Sequence, residues 1–392
     1  MGKRNILSNL LDGARILNGS ALVMRSAGWA LSLCLALQLT ASAAASAASV
    51  AQVADFGSNP GNLGMFKYVP DGLPPSAPLV VVMHGCAQRA AAFAQESGWT
   101  KIADELKVAL VLPETDKPLA NGCFTWYNPG DVSRDHGEAL SIKNMVDKMK
   151  ADHGIDAKRI FATGLSAGGA MTSVMLATYP DVFAGGAIVA GLPYGCATSL
   201  PEAFQCMSTG HPSALPALGK MQKVTLQSAE ALPDLSQLPV PKGVCLLLPL
   251  LCPPTDGQGI SASQWGDFVR KAANFPGPFP KVSIWHGSAD TTVSPVNATS
   301  EMLQWTNVHG IDPASAAHDT VKGFPHQLFK NAAGDAVVET YSITAMSHGD
   351  PVDPGSAADQ CGAADQYIID EHICSSYFIA KFWGLAAPAG AK

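Results

Sequence analysis

In Gly164-Leu165-Ser166-Ala167-Gly168-Gly169 a serine stands between glycines, after the apolar run Arg159 to Thr163 and before the helical run Ala170 to Thr178. Gly-x-Ser-x-Gly alone arises by chance in glycine-rich chains. With a strand before it and a helix after it, the pattern reads as a nucleophile elbow, a tight turn that projects the hydroxyl and leaves no room for larger neighbours. A serine hydroxyl is a poor nucleophile until a base takes its proton, so the motif demands a histidine and an acid to orient it. On such an elbow the partners follow the serine in the order acid, then histidine. Asp290 fills the first place at the end of Trp285-His286-Gly287-Ser288-Ala289-Asp290, and His348 fills the second in Ala345-Met346-Ser347-His348-Gly349. His286 and Asp350 are rivals. His286 precedes Asp290 at a strand end and reads as a structural hydrogen-bonder, while Asp350 is too near His348 in sequence to reach its far ring nitrogen.

Acyl transfer through such a serine also needs donors for the developing oxyanion. The Ala167 N-H, at the start of the helix after Ser166, supplies one. The Cys86 N-H is the choice for the second, from His84-Gly85-Cys86-Ala87-Gln88, the loop after an earlier strand. Trp126 and Tyr127 are the candidate aromatic wall for substrate, with core packing as the competing reading.

These residues need a scaffold. Leu79 to Met83, Val108 to Leu112, Arg159 to Thr163, Gly186 to Ala190, Lys281 to Trp285 and Val337 to Thr344 read as short strands, several buried on both faces. Between them Trp99, Ile102, Ala103 and Leu106, and again Ile142, Met145, Val146 and Met149, follow the spacing of one helical stripe. The alternation predicts an α/β class, a mostly parallel sheet with helices on both faces. Residues 207–264, rich in Pro, Leu and Ser, break the rhythm and read as an inserted, lid-like segment.

Lys3, Arg4, Arg15 and Arg25 precede the apolar run Ala30 to Leu39, which is too short to span a bilayer, and small residues follow it. Residues 1–47 therefore read as a signal peptide with an upstream segment, and 48–392 as the catalytic domain. The expected product is secreted, extracellular or periplasmic, with no stable membrane anchor. Beyond Cys34 there are eight cysteines, which suits an oxidising compartment. Local spacing favours Cys196 with Cys206, Cys245 with Cys252 and Cys361 with Cys374, which leaves Cys86 with Cys123. No Cys-x-x-Cys pair exists, so neither a metal site nor a cofactor is expected. A formal charge of -7, from 25 Lys plus Arg against 32 Asp plus Glu, is not the footprint of a nucleic-acid binder.

Taken with Cys123-Phe124-Thr125-Trp126, Ala190-Gly191-Leu192-Pro193-Tyr194-Gly195 and the closing run Ile379 to Leu385, these motifs resemble the polyhydroxybutyrate depolymerase family of secreted esterases. The resemblance spans most of Val80 to Leu385. It implies an α/β-hydrolase fold, a triad of Ser166, Asp290 and His348, and Cys86 and Ala167 as oxyanion donors. It also implies cleavage of a polyhydroxybutyrate-type polyester or its oligomers through an acyl-enzyme. Feruloyl or acetyl carbohydrate esters and polyaspartate-type polyamides are the alternative substrates. A non-catalytic polymer-binding protein is the reading from another class, and the complete set of reactive groups weighs against it. Only 44 residues follow His348, so soluble oligomers or amorphous polymer are expected in preference to crystalline polyester.

Overall fold

The chain enters the fold along two short strands, β1 (Ala51–Val53) and β2 (Gly64–Tyr68). It then alternates: β3 (Leu79–Met83), α1 (Ala90–Glu96), α2 (Trp99–Leu106), β4 (Ala109–Glu114), α3 (Gly137–His153), β5 (Ile160–Leu165), α4 (Ala167–Thr178) and β6 (Gly185–Val189). Helices α5 (Leu200–Thr209) and α6 (Ala262–Ala273) lead to β7 (Lys281–Gly287) and α7 (Val296–Val308). A hairpin of β8 (Ala317–Val321) and β9 (Phe324–Lys330) precedes β10 (Ala336–Ile343), and β11 (Asp350–Val352), β12 (Ile368–Asp370) and α8 (Ser375–Phe382) follow. The computed structural model describes residues 48–115, 121–210 and 260–386. The expected signal segment, 1–47, lies outside them, as do the middle of the expected insertion and the Cys245 and Cys252 pair. Within that insertion, Met207 already belongs to α5 and Ala262 to α6. Ser261 starts α6 with a capping box, its hydroxyl accepting from Gln264 N-H at 3.2 Å while Gln264 Oε1 accepts from Ser261 N-H at 2.9 Å.

Ten strands form one sheet in the order β1-β2-β4-β3-β5-β6-β7-β10-β9-β8. The six from β4 to β10 run parallel, and antiparallel strands close both edges. All six correspond to the runs read from the sequence, with no boundary moved by more than two residues and β3 matching at both ends. The edge strands lie outside those runs: β8 is exposed along most of its length, β9 is only partly buried, and neither carries a continuous apolar run. Their one local signal is Lys322-Gly323, a two-residue turn with both φ positive, at 53° and 91°.

Alternation of side chains along a strand sends successive residues to opposite faces. In β3, Leu79, Val81 and Met83 join a core with residues of α3, α4, α6 and α7, while Val80 and Val82 join one with residues of α1, α2 and α8. Helices therefore cover both faces, as the alternation predicted. This double burial makes the central strands rigid, and register then fixes which loops emerge together. Met83 of β3 pairs with Gly164 of β5, and Gly287 of β7 pairs with Ile343 of β10.

Candidate active site

Ser166 joins β5 to α4 with φ 56° and ψ -117°, a conformation that a residue with a Cβ adopts only when its surroundings enforce it. They do. Its N-H donates to Val189 O at 2.9 Å and its carbonyl accepts from Ala170 N-H at 2.8 Å. A Cβ on Gly164 would stand 2.6 Å from Met83 O, and one on Gly168 would collide with that oxygen and stand 2.6 Å from His84 O. Both glycines thus let α4 approach the end of β3. Ser166 is held to 9% exposure at the mouth of the turn.

Asp290 and His348 come from the loops after the neighbouring strands β7 and β10. Asp290 Oδ1 accepts from the N-H groups of Thr292 and Val293 at 2.8 and 2.9 Å, and Oδ2 lies 2.7 Å from His348 Nδ1. Burial pushes this carboxyl upward, but the neighbouring His286, the hydrogen bond with His348 and the Val293 N-H prevail and hold it far below the ordinary carboxylate range. A ring that donates from Nδ1 to a carboxylate keeps Nε2 as an acceptor. The two loops are stitched together: Ser288 N-H donates to Ile343 O at 2.9 Å, Ala289 N-H to Met346 O at 3.0 Å, and Ala345 N-H to Ser288 Oγ at 2.8 Å. Of the rivals, His286 is buried with Nε2 at 2.9 Å from Val293 O. Asp350 is buried and accepts from Ser375 Oγ at 2.5 Å.

The loop after β3 is organised by its own side chains. Gly85 N-H donates to Gln88 Oε1 at 2.8 Å, and Ala87 N-H donates to Asn121 O at 3.1 Å. His84 accepts the Thr115 N-H at Nε2, 3.2 Å, so Nδ1 carries the proton that it donates to Gly85 O at 2.7 Å. Burial lowers the pKa of this imidazole, in keeping with the neutral ring. A disulfide joins Cys86 to Cys123, and others join Cys196 to Cys206 and Cys361 to Cys374. Among the described residues the Cys86 N-H has no acceptor, and neither does the Ala167 N-H, which begins α4 and so lacks an intrahelical partner.

Ser166, His348 and Cys86 line one cavity of about 430 Å³. Glu96, Asn121, Met207, Thr292, Gln366 and Tyr367 contribute to its walls. Tyr367 is 40% exposed, and its ring meets that of His348 edge-on, with 5.9 Å between centroids. No motif marked these wall residues, which meet only through folding. Trp126 and Tyr127 are not brought to this cavity. Trp126 belongs to the core, and Tyr127 stands edge-on to it, partly buried, with 5.6 Å between ring centroids. Away from the cavity, Asp353, Asp370 and His372 place ligand-type atoms within 4.8 Å of one another.

Residues 63–235 match the family model described as esterase PHB depolymerase. The chain is 47% identical over 339 residues, 86% of its length and 70% of the relative's, to poly(3-hydroxyalkanoate) depolymerase C of Paucimonas lemoignei. It is 32% identical over 267 residues, 68% of its length and 77% of the relative's, to feruloyl esterase B of Thermothelomyces thermophilus. Among solved structures, an acetyl xylan esterase from Aspergillus awamori superposes with a TM-score of 0.61 at 21% identity, covering 86% of this chain and all of that one.

Proposed function

The chain belongs to the esterase PHB depolymerase family, and from that premise we propose that Ser166, Asp290 and His348 hydrolyse a polyhydroxybutyrate-type polyester or its oligomers. The chain has the α/β-hydrolase fold and is a serine-dependent carboxylic ester hydrolase. In the proposed reaction Ser166 Oγ attacks the ester carbonyl as His348 Nε2 takes its proton. The N-H groups of Cys86 and Ala167 receive the oxyanion, and the C–O bond breaks as the imidazolium returns the proton to the alcohol. Water, deprotonated by the same ring, then adds to the acyl carbonyl, and the acid is released as the Ser166 Oγ–C bond breaks and the imidazolium returns the proton to Oγ. Throughout, Asp290 orients the ring and stabilises its charged form.

The observation that carries this reading is the 2.7 Å contact of His348 Nδ1 with Asp290 Oδ2, in a molecule where His348 and the strained Ser166 line one cavity. Among the described residues the N-H groups of Cys86 and Ala167 have no acceptor, and Cys86 lines the same cavity as Ser166, which supports the donor assignment. Tyr367 and Met207 are better placed than Trp126 and Tyr127 to contact an acyl chain.

A fluorophosphonate should label the wild type and not Ser166→Ala; equal labelling of both removes the serine from the mechanism. On purified enzyme, oligomers of 3-hydroxybutyrate should be cleaved faster than feruloyl or acetylxylan esters, and the reverse order moves the substrate to carbohydrate esters. We further propose export of the protein. Three disulfides among the described residues support it. No helix among those residues is long and apolar enough to cross a membrane.

A further inference from the structure

His286 belongs to the acid's surroundings more closely than its place in the sequence suggests. It is buried near the end of β7, four residues before Asp290, with Nε2 2.9 Å from Val293 O and 3.4 Å from Asp290 Oδ2. Its Nδ1 is buried and has no hydrogen-bond partner among the described residues. Val293 O can only accept, so Nε2 carries a proton. A second proton on Nδ1 would be a buried orphan donor, which folded proteins avoid more strictly than an orphan acceptor. The ring is thus the Nε2-H tautomer, its N-H donated to the Val293 carbonyl and lying 3.4 Å from the carboxylate oxygen that His348 also contacts.

The geometry points to His286 as a positioning residue for Asp290, an inference that rests on the catalytic reading above. Asp290 Oδ1 is fixed by the Thr292 and Val293 N-H groups, and His286 closes the same turn from its other end at Val293 O. With Oδ1 anchored and Oδ2 approached by His286, the carboxylate cannot swing away from His348. The ring does this without adding a charge that would compete with the His348 imidazolium for Asp290. The neighbouring Gly287 keeps the pair close, since a Cβ there would collide with Met346 O and stand 2.5 Å from Ser347 O, in the loop that carries His348.

The test compares His286→Leu, which removes the donor, with His286→Gln, whose amide keeps one at similar reach. On a soluble p-nitrophenyl ester, His286→Leu should lower kcat by about tenfold to about a hundredfold with KM changed less than about twofold, and His286→Gln should recover most of the loss. Unchanged kcat in a folded His286→Leu overturns the inference, and so does equal impairment of the two variants, which would mean that only packing matters. Should His286→Leu not fold, imidazole ¹⁵N NMR of the wild type decides: Nε2-H at His286 is expected, and Nδ1-H overturns the assignment. Ser166→Ala, assayed alongside, separates the levels. If it is inactive while His286→Leu is unaffected, His286 alone is misassigned, whereas turnover by Ser166→Ala removes the serine reading and this inference together.

Discussion

A serine held at φ 56° is stable only while its neighbours leave no alternative. Gly168 is one of those neighbours, and the obstacle to any side chain there is the backbone of β3, which cannot rotate aside. Gly168→Ala is therefore expected to cost about 3 kcal/mol or more in urea unfolding, at the upper end of overpacking penalties, and to lower kcat through displacement of Ser166. An unchanged unfolding midpoint with wild-type turnover would show that α4 can shift freely. At this scale the sequence was most readable where one local constraint dictates the residue, as at Gly164, Ser166 and Gly168. It was least readable for Trp126 and Tyr127. An aromatic pair after a cysteine has no local property that separates a cavity wall from a core, and only the packing sends Trp126 inward.

Between elements, the acid and histidine loops hold each other through Ser288, Ala289 and Ala345, whereas the loop carrying Cys86 is tied to the segment at Asn121 and Cys123 by one hydrogen bond and one disulfide. Replacing both Cys86 and Cys123 by Ala should cost about 2 to 4 kcal/mol of stability, as is typical of a removed crosslink. If the Cys86 N-H serves the oxyanion, kcat should fall more than KM rises. A loss confined to stability would make this crosslink purely structural. The six central strands were legible because burial on both faces imposes continuous apolar runs. The outer hairpin of β8 and β9 was not, since antiparallel edge strands that are only partly buried need no such run; β9 takes its place from pairing with β10 and β8 from pairing with β9.

For the molecule as a whole, stability should respond to Asp350, buried at the start of β11 against the first residue of α8. Desolvation raises its carboxyl to about 7, with the Ser375 hydroxyl opposing only in part. A carboxyl raised in the folded state binds a proton that the unfolded chain has released, so its contribution is complete below about pH 4 and is lost as pH rises toward about 7. Asp350→Asn removes that dependence. The difference in unfolding free energy between variant and wild type should grow in the variant's favour from about pH 4 to about pH 7 and then level off, reaching about 2 kcal/mol or more. A difference independent of pH would show that Asp350 is ionised throughout. The sequence by itself determined the class of the fold and the groups able to do chemistry, because the alternation of apolar runs and the demands of a strained turn are local and leave a mark residue by residue. Which of those groups meet, which side chains wall the cavity and which histidine buttresses the acid were decided only by the tertiary structure. Strand order and register are set by pairing between distant segments, and no short stretch of chain records them.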